Sequence, residues 1–244
     1  EKKPLLFYFG CYYSSPSGAA VATLDLADRL GLDYEVLAGV RSCCGWPQYL
    51  TGRMGYGQQM LTRLSTLIDQ VQPEAIVSGC AECYTALLRL KKKTGAPWRA
   101  LTTPEWLLQH ADRLSWSRFD YPIAYHDSCH VTKKVGRPQP GRELLGLMAE
   151  VVEIAEAPAK CVWCGYYNIH ANHELNHELH EDKLAAVRQV GAEGLAVECV
   201  TCWESFAPAF QEADLPLWEL MVAAEQATRP PQQAVEQKEV SDVR

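Results

Sequence analysis

The chain has 244 residues, 48% of them apolar and 22% charged, and carries a formal net charge of −7. That length suits one large domain or two of about 120 residues, and the apolar content is that of a globular protein with a full core. The acidic balance argues against a general nucleic-acid binder, because phosphate contact needs a basic face. No apolar stretch approaches the ~20 residues that cross a bilayer, and the opening EKKPLLFYFGC lacks the longer apolar run of a secretory leader. A cytoplasmic protein with no direct membrane insertion is expected.

In chain order, Leu5 to Phe9 reads as a β-strand that runs towards Cys11. Ser17 to Leu30 reads as an amphipathic helix with Val21, Leu24, Leu26 and Leu30 on its apolar face and Ser17 as its N-cap. Tyr34 to Leu37 is a second strand before Cys43 and Cys44, and Tyr56 to Val71 a second helix. Ala75-Ile76-Val77 leads into Cys80 and Cys83, followed by a helix over Glu82 to Lys93 whose Lys91, Lys92 and Lys93 read as a solvated end. The pattern then recurs. Pro122 to Tyr125 leads to Cys129, Val151 to Ile154 to Cys161 and Cys164, a helix spans Leu175 to Val190, and Leu195 to Val197 leads to Cys199 and Cys202. Residues 229–244 cannot bury a core and read as a flexible tail, or as a strip that orders on a partner subunit.

The ten cysteines thus form two sets of five, C-x31-C-C-x35-C-x2-C and C-x31-C-x2-C-x34-C-x2-C, offset by 118 to 120 residues. This is an internal duplication, expected to give residues 1–118 and 119–228 as two halves. Alternating strands and helices predict an α/β fold with mainly parallel sheets. Cysteine-bearing loops at the strand carboxyl ends can then converge, since ligands gather there in such folds.

A chain of this size with no export signal is expected to keep free thiolates rather than five disulfides. Adjacent Cys43 and Cys44 strengthen that expectation, because a bridge between neighbours strains the backbone. Structural zinc and a cubane iron–sulfur cluster each take four ligands, so a fifth thiol is either a reactive group or a ligand to a larger cluster. On ligand count the readings are an iron–sulfur site, a zinc site, or unliganded core thiols.

Gly10-Cys11, Cys43-Cys44-Gly45 with Pro47, Gly79-Cys80-Ala81-Glu82-Cys83, Asp127-Ser128-Cys129-His130 and Cys164-Gly165 together resemble the duplicated cysteine-rich CCG domain of the heterodisulfide reductase B subunit. The resemblance extends to about Thr228. It implies two Rossmann-like halves facing one another and a noncubane [4Fe-4S] cluster on each intact set, so that all ten cysteines serve as cluster ligands. It also implies disulfide cleavage or formation at the cluster, on a disulfide or sulfur-carrier substrate. Electrons would pass through a ferredoxin-like C-type subunit and a flavin-containing A-type subunit. Relatives include sulfur-oxidation complexes and iron–sulfur subunits serving lactate, glycolate, glycerol-phosphate or succinate dehydrogenation.

The second half departs from the pattern. Trp163 stands where the motif has its first adjacent cysteine, with Cys161 displaced upstream. Either Cys161 replaces the lost ligand, or Cys129, Cys164, Cys199 and Cys202 hold a cubane cluster or zinc. His126 and His130 read either as proton donors to a departing thiolate or as hydrogen-bonded residues that orient a neighbouring ligand. Tyr12, Tyr13, Trp46, Tyr84, Trp163, Tyr166, Tyr167 and Trp203 read as an apolar shell or as interface residues. His170, His173, His177 and His180 lie among Asn and Glu residues and read as a solvated helix face.

No ferredoxin motif of the C-x2-C-x2-C-x3-C-P kind is present, so partner polypeptides are expected to exchange the electrons. The leading expectation is the disulfide-handling subunit of a heterodisulfide-reductase-like complex. The alternatives are an electron-transfer subunit of a dehydrogenase and a structural zinc module.

Overall fold

Each half of the sequence forms its own four-stranded parallel sheet in the computed structural model, which describes residues 5–11, 15–154, 163–166 and 172–230. The first sheet comprises β1 (Leu5–Gly10), β2 (Glu35–Ala38), β3 (Ala75–Ser78) and β4 (Arg99–Thr102), in the order β2-β1-β3-β4. The second repeats that order with β5 (Pro122–His126), β6 (Glu150–Val152), β7 (Leu195–Val197) and β8 (Leu217–Glu219), as β6-β5-β7-β8. Every strand pair is parallel. The duplication expected from the cysteine spacing is therefore present in the topology, and β4 and β8 add edge strands that the sequence reading lacked.

Helices connect the strands: α1 (Ala19–Arg29), α2 (Trp46–Leu50), α3 (Met54–Val71), α4 (Ala81–Thr94) and α5 (Thr103–Leu108) in the first half. The second half has α6 (Gln139–Met148), α7 (His173–Gln189), α8 (Val200–Glu212) and α9 (Leu220–Ala227), preceded by a π-helical turn at Cys129–Lys134. Ser17 does not N-cap α1. Gly18 takes that position at φ 75°, and Ser17 Oγ instead accepts from the Ala19 amide at 3.4 Å. Lys92 and Lys93 are exposed as expected, but Lys91 Nζ donates to the carbonyls of Ala96 at 2.9 Å and Trp98 at 2.5 Å beyond the end of α4. The tail expected from residue 229 falls, beyond Pro230, outside the described residues.

Strand alternation sorts the core into layers, since successive side chains point to opposite sheet faces. Phe7, Phe9 and Val77 of the first sheet and Ile123, Tyr125 and Ala196 of the second enter one common cluster with residues of α1, α5, α6 and α9. Leu6, Tyr8 and Ile76 face α3 and α4, while Ala124, Leu195 and Val197 face α7 and α8. The halves thus share a central core. Arg29 of α1 clamps the junction by donating to the Thr228 carbonyl at 2.8 Å and pairing with Glu225 of α9 at 3.3 Å. Among the described residues, no helix is long and apolar enough to cross a membrane.

Candidate functional site

Four cysteines follow directly from strand ends: Cys11 after β1, Cys80 after β3, Cys129 after β5 and Cys199 after β7. Cys80 and Cys199 are the N-caps of α4 and α8, and Cys83 and Cys202 occupy the first turns of those helices. The C-x2-C spacing therefore places two sulfurs at a helix N-terminus, where unpaired amides and the helix dipole favour thiolates. Gly10 permits the close approach of the first turn of α4, because a Cβ there would lie 2.9 Å from Cys83 Sγ.

Cys43 and Cys44 sit on a turn between a 3-10 segment (Val40–Ser42) and α2. Gly45 makes the turn at φ 76°, and Gly165 repeats it at φ 78° after Cys164. The corresponding turn is thus present in the second half although Trp163, not a cysteine, precedes Cys164. The Trp163 side chain is 64% exposed and projects to solvent rather than forming a shell over the sulfurs. Cys161, Tyr12, Tyr13, Tyr167 and His170 lie outside the described residues.

The nine described cysteines are free thiols. Their contacts run end to end. Cys11 bonds to Cys43, Cys43 to Cys44, Cys44 to Cys83 and Cys83 to Cys80. Cys80 meets Cys199 of the other half, Cys199 bonds to Cys202, and Cys202 to Cys164. Cys129 feels the charges of Cys164 and Cys199. The two sets therefore form one sulfur array joined at Cys80 and Cys199. Cys44, Cys80, Cys83, Cys164, Cys199 and Cys202 are buried, whereas Cys11, Cys43 and Cys129 are half-buried and form its open side.

Each set contains one thiol held towards the thiolate. Hydrogen bonds from Cys11 and Cys44 bring Cys43 down to about 3. Hydrogen bonds from Cys202 and Cys80, then Thr201 and the Cys202 amide, hold Cys199 well below the usual thiol range. The donors shift the opposite way: Cys44 is pushed up to about 12 chiefly by its bond to Cys43, and Cys202 is raised chiefly by its bond to Cys164. Burial pushes Cys129 up to about 12.

Surrounding residues fix this array. Tyr8 Oη donates to the Ser42 carbonyl at 2.6 Å and also contacts Cys83. Arg142 grips both Asp127 oxygens, at 2.7 and 2.8 Å, and Thr132 donates to Asp127 at 3.0 Å, securing the loop into Cys129. His180 Nε2 donates to the Cys164 carbonyl at 3.0 Å, and Ser205 Oγ donates to the same oxygen. His180 is buried, which corrects the solvated-face reading for that residue, while His173 and His177 are exposed as expected. Asn176 is also buried, against Gly165. These polar supports escaped sequence reading because they share a helix with Glu174, Glu178 and Glu181. The available signal was the four-residue spacing of Asn176 and His180 beneath a glycine turn.

His126 is buried on β5, with its ring edge-on to Phe206 at 5.0 Å and, among the described residues, no partner for Nδ1. Burial first, and the Lys183 charge second, hold it down to about 3. His130 contacts Thr85 at 3.4 Å and stands edge-on to Trp46 at 5.2 Å; burial and Lys134 hold it down to about 4. Both rings are neutral near pH 7, so each offers one N–H for a hydrogen bond and one bare nitrogen that can take up a proton, and neither carries an imidazolium proton in reserve. Trp46 adjoins the first cysteine turn and His130 follows Cys129, so this contact also ties the two sets together. Lys134 Nζ completes it, 4.6 Å over the Trp46 ring.

Among the described residues, no three His, Cys, Asp or Glu side chains are arranged to hold a single metal ion. An all-thiol donor set, mostly buried and drawn from loops that glycines hold close, fits iron–sulfur ligation.

A family model described as a cysteine-rich domain, CCG, matches residues 5–88 and again residues 123–206. The B subunit of fumarate reductase (CoM/CoB) from Methanothermobacter marburgensis is 24% identical over 200 residues, covering 80% of this chain and 40% of that protein. The D subunit of dihydromethanophenazine:CoB–CoM heterodisulfide reductase from Methanosarcina acetivorans is 24% identical over 155 residues, 59% of this chain and 38% of that one. The chain thus spans about two fifths of the length of these relatives. Lactate utilization protein A of Anoxybacillus flavithermus is 25% identical over 189 residues, 71% of this chain and 77% of that protein. A hypothetical protein from Helicobacter pylori shares the fold at a TM-score of 0.63 and 11% identity, over 95% of this chain and 51% of its own. With both halves matched over most of their length, the chain belongs to the cysteine-rich CCG domain family.

Proposed function

We propose that this chain is an iron–sulfur subunit of a heterodisulfide-reductase-like oxidoreductase complex that cleaves or forms a disulfide and exchanges electrons with partner subunits. The observation that carries the reading is the run of eight thiols in contact from Cys11 to Cys164, with Cys129 beside it and Cys11, Cys43 and Cys129 on its open side. Cys11, Cys43, Cys44, Cys80 and Cys83 would hold a noncubane [4Fe-4S] cluster. Cys129, Cys164, Cys199 and Cys202, with Cys161 outside the described residues, would hold the second group as a noncubane cluster, a cubane cluster or zinc. A bound iron–sulfur cluster supplies single electrons and iron sites for thiolate sulfur.

The chain's own residues supply the rest. The β1 and β5 ends and the turns after Gly45 and Gly165 bring both sulfur sets to one opening, where a disulfide would lie between the halves. Tyr8, Asp127 with Arg142, and His180 with Ser205 hold the sulfur-bearing loops in place. His130, the nearer of the two histidines to Cys129 in sequence, would relay a proton from solvent to a departing thiolate, taking one up at one ring nitrogen as it gives one up at the other. A ferredoxin-like C-type subunit and a flavin-containing A-type subunit are the proposed electron partners. The match to a lactate utilization protein A covers 71% of this chain and 77% of that protein's length, which favours a second reading as an electron-transfer subunit of a dehydrogenase.

Anaerobic iron, sulfide and zinc analysis with EPR of the oxidised protein separates these readings. Disulfide chemistry predicts at least one iron–sulfur signal that changes when a thiol is added, and loss of a cluster in a Cys43→Ala, Cys44→Ala variant. A cluster whose signal ignores every thiol supports the relay reading. Zinc without iron after anaerobic reconstitution would sink both.

A further inference from the structure

The corner between α2 and α3 encloses an open cavity of about 570 Å³ lined by Gln48, Arg53, Tyr56, Gln59, Met60 and Arg63. Its lining follows from the helix period. Tyr56, Gln59, Met60 and Arg63 fall at i, i+3, i+4 and i+7 on one face of α3, while Gly57, Leu61, Leu64 and Ile68 are buried on the other. Gln48 comes from α2 and Arg53 from the turn between the helices. The cavity shares a wall with the cysteine turn, because a Cβ on Gly45 would lie 3.0 Å from Met60 Cβ.

The lining is basic although the chain carries a net charge of −7. Arg29, Arg137, Arg142 and Arg229 each pair with a carboxylate, whereas others, such as Arg113 and Arg118, bond only to backbone carbonyls. Arg53 and Arg63 pair with none among the described residues, and no Asp or Glu lines the cavity. Two guanidinium groups, two side-chain amides and a phenol give an array of donors, with Met60 and the Tyr56 ring as apolar surface.

The duplication provides an internal control. Shifting by 119 residues carries the buried set Gly57, Leu61, Leu64 and Ile68 onto the buried Asn176, His180, Lys183 and Val187 of α7. The same shift carries Gln59 onto Glu178 and Arg63 onto Asp182, and the cavity beside α7 is lined by Glu174, His177, Glu178, Glu181 and Asp182. One fold position is basic in the first half and acidic in the second, so the fold does not dictate the basic lining.

We propose that the α2–α3 cavity binds a small molecule with a terminal oxyanion, a carboxylate or a phosphate, gripped by Arg53 and Arg63 with its body against Met60 and Tyr56. Arginine matches such oxyanions through paired hydrogen bonds. The volume falls within the range of about 300–1,000 Å³ of small-molecule sites and exceeds what a bare ion fills. The site goes beyond the disulfide reading and needs no metal on the cysteines.

The test is titration of the whole chain, kept reduced and anaerobic, with inorganic phosphate, phenyl phosphate and phenylacetate, followed by calorimetry or NMR. One saturable site is expected for a phenyl-bearing probe, tighter than for inorganic phosphate and weakened by added salt. Phenyl phosphate ahead of phenylacetate assigns a phosphate end, and the reverse order a carboxylate end. Arg53→Gln and Arg63→Gln should each weaken binding by about tenfold, while Asp182→Asn on the acidic counterpart should not. Both arginines are exposed, so circular dichroism should report an unchanged fold. Absence of saturable binding by all three probes, or unchanged binding in both arginine variants, would overturn the proposal, whatever the cluster analysis finds.

Discussion

The two halves share a backbone plan and differ in how they brace it. In the first, Gly45 rests directly on the backbone of Gly57, and the face of α3 behind the cysteine turn is apolar. In the second, Gly165 rests on the side chain of Asn176, and His180 and Ser205 grip the Cys164 carbonyl. Tyr8 on β1 likewise corresponds to His126 on β5. Duplication has preserved the glycine turns and most sulfur positions while exchanging close backbone contact for side-chain hydrogen bonding. The half with Trp163 beside its cysteine turn is the half braced by polar side chains.

Alanine at the two glycines should break this comparison most forcefully. Both glycines have positive φ, which costs an L-residue roughly 1–2 kcal/mol. At Gly45 the new Cβ would also lie 2.7 Å from the Gly57 carbonyl oxygen, which cannot rotate away. Gly45→Ala should therefore destabilise the metal-free protein by about 3 kcal/mol or more in chemical denaturation. Gly165→Ala meets the Asn176 amide instead, and Asn176→Gly, which installs the first half's residue, should recover part of the loss. Equal costs, with no recovery in the double variant, would show that the halves are braced alike.

The sequence made the duplicated α/β plan legible because each cysteine group follows a short apolar run at a nearly constant offset. Six strands and four helices were readable for that reason. β4 and β8 were not, since no cysteine follows either and Arg99–Thr102 and Leu217–Glu219 are too short for periodicity to stand out. The array joining Cys80 to Cys199 was also hidden, because spacing locates a thiol on its own half and says nothing of the approach between halves. His180 was missed for a different reason: an inward polar residue on a helix with many outward glutamates leaves no apolar stripe.

His180 gives the next test of side-chain bracing. His180→Leu installs the residue found at the corresponding position, Leu61, and removes one of two donors to the Cys164 carbonyl. The expected loss is about 1–3 kcal/mol, the range for an under-satisfied buried polar group. Faster alkylation of Cys164 should accompany it. Unchanged stability and labelling would mean that Ser205 alone secures the turn.

A slope rather than a single loss separates Tyr8 from His126 through pH. The enclosed His126 ring has its proton affinity lowered from 6.5 to about 3, chiefly by burial. As pH falls below about 6.5, the unfolded chain takes up a proton that the folded ring refuses, so this contribution to stability is present above 6.5 and is lost towards pH 3. Glu198 and Glu219 act in the opposite sense. Burial raises both from 4.5 to about 8, so their contribution falls as pH rises through that interval. A raw stability profile mixes these slopes, but the difference between wild type and His126→Gln isolates the histidine. Wild-type protein should lose stability relative to that variant by up to about 1.4 kcal/mol per pH unit between roughly 6.5 and 3. Tyr8→Phe should show no such slope, because burial raises the Tyr8 phenol and keeps it neutral across the same interval. Parallel slopes in the two variants would erase the distinction between the strands, whereas a slope confined to His126 would place the acid sensitivity of the metal-free fold in its second half.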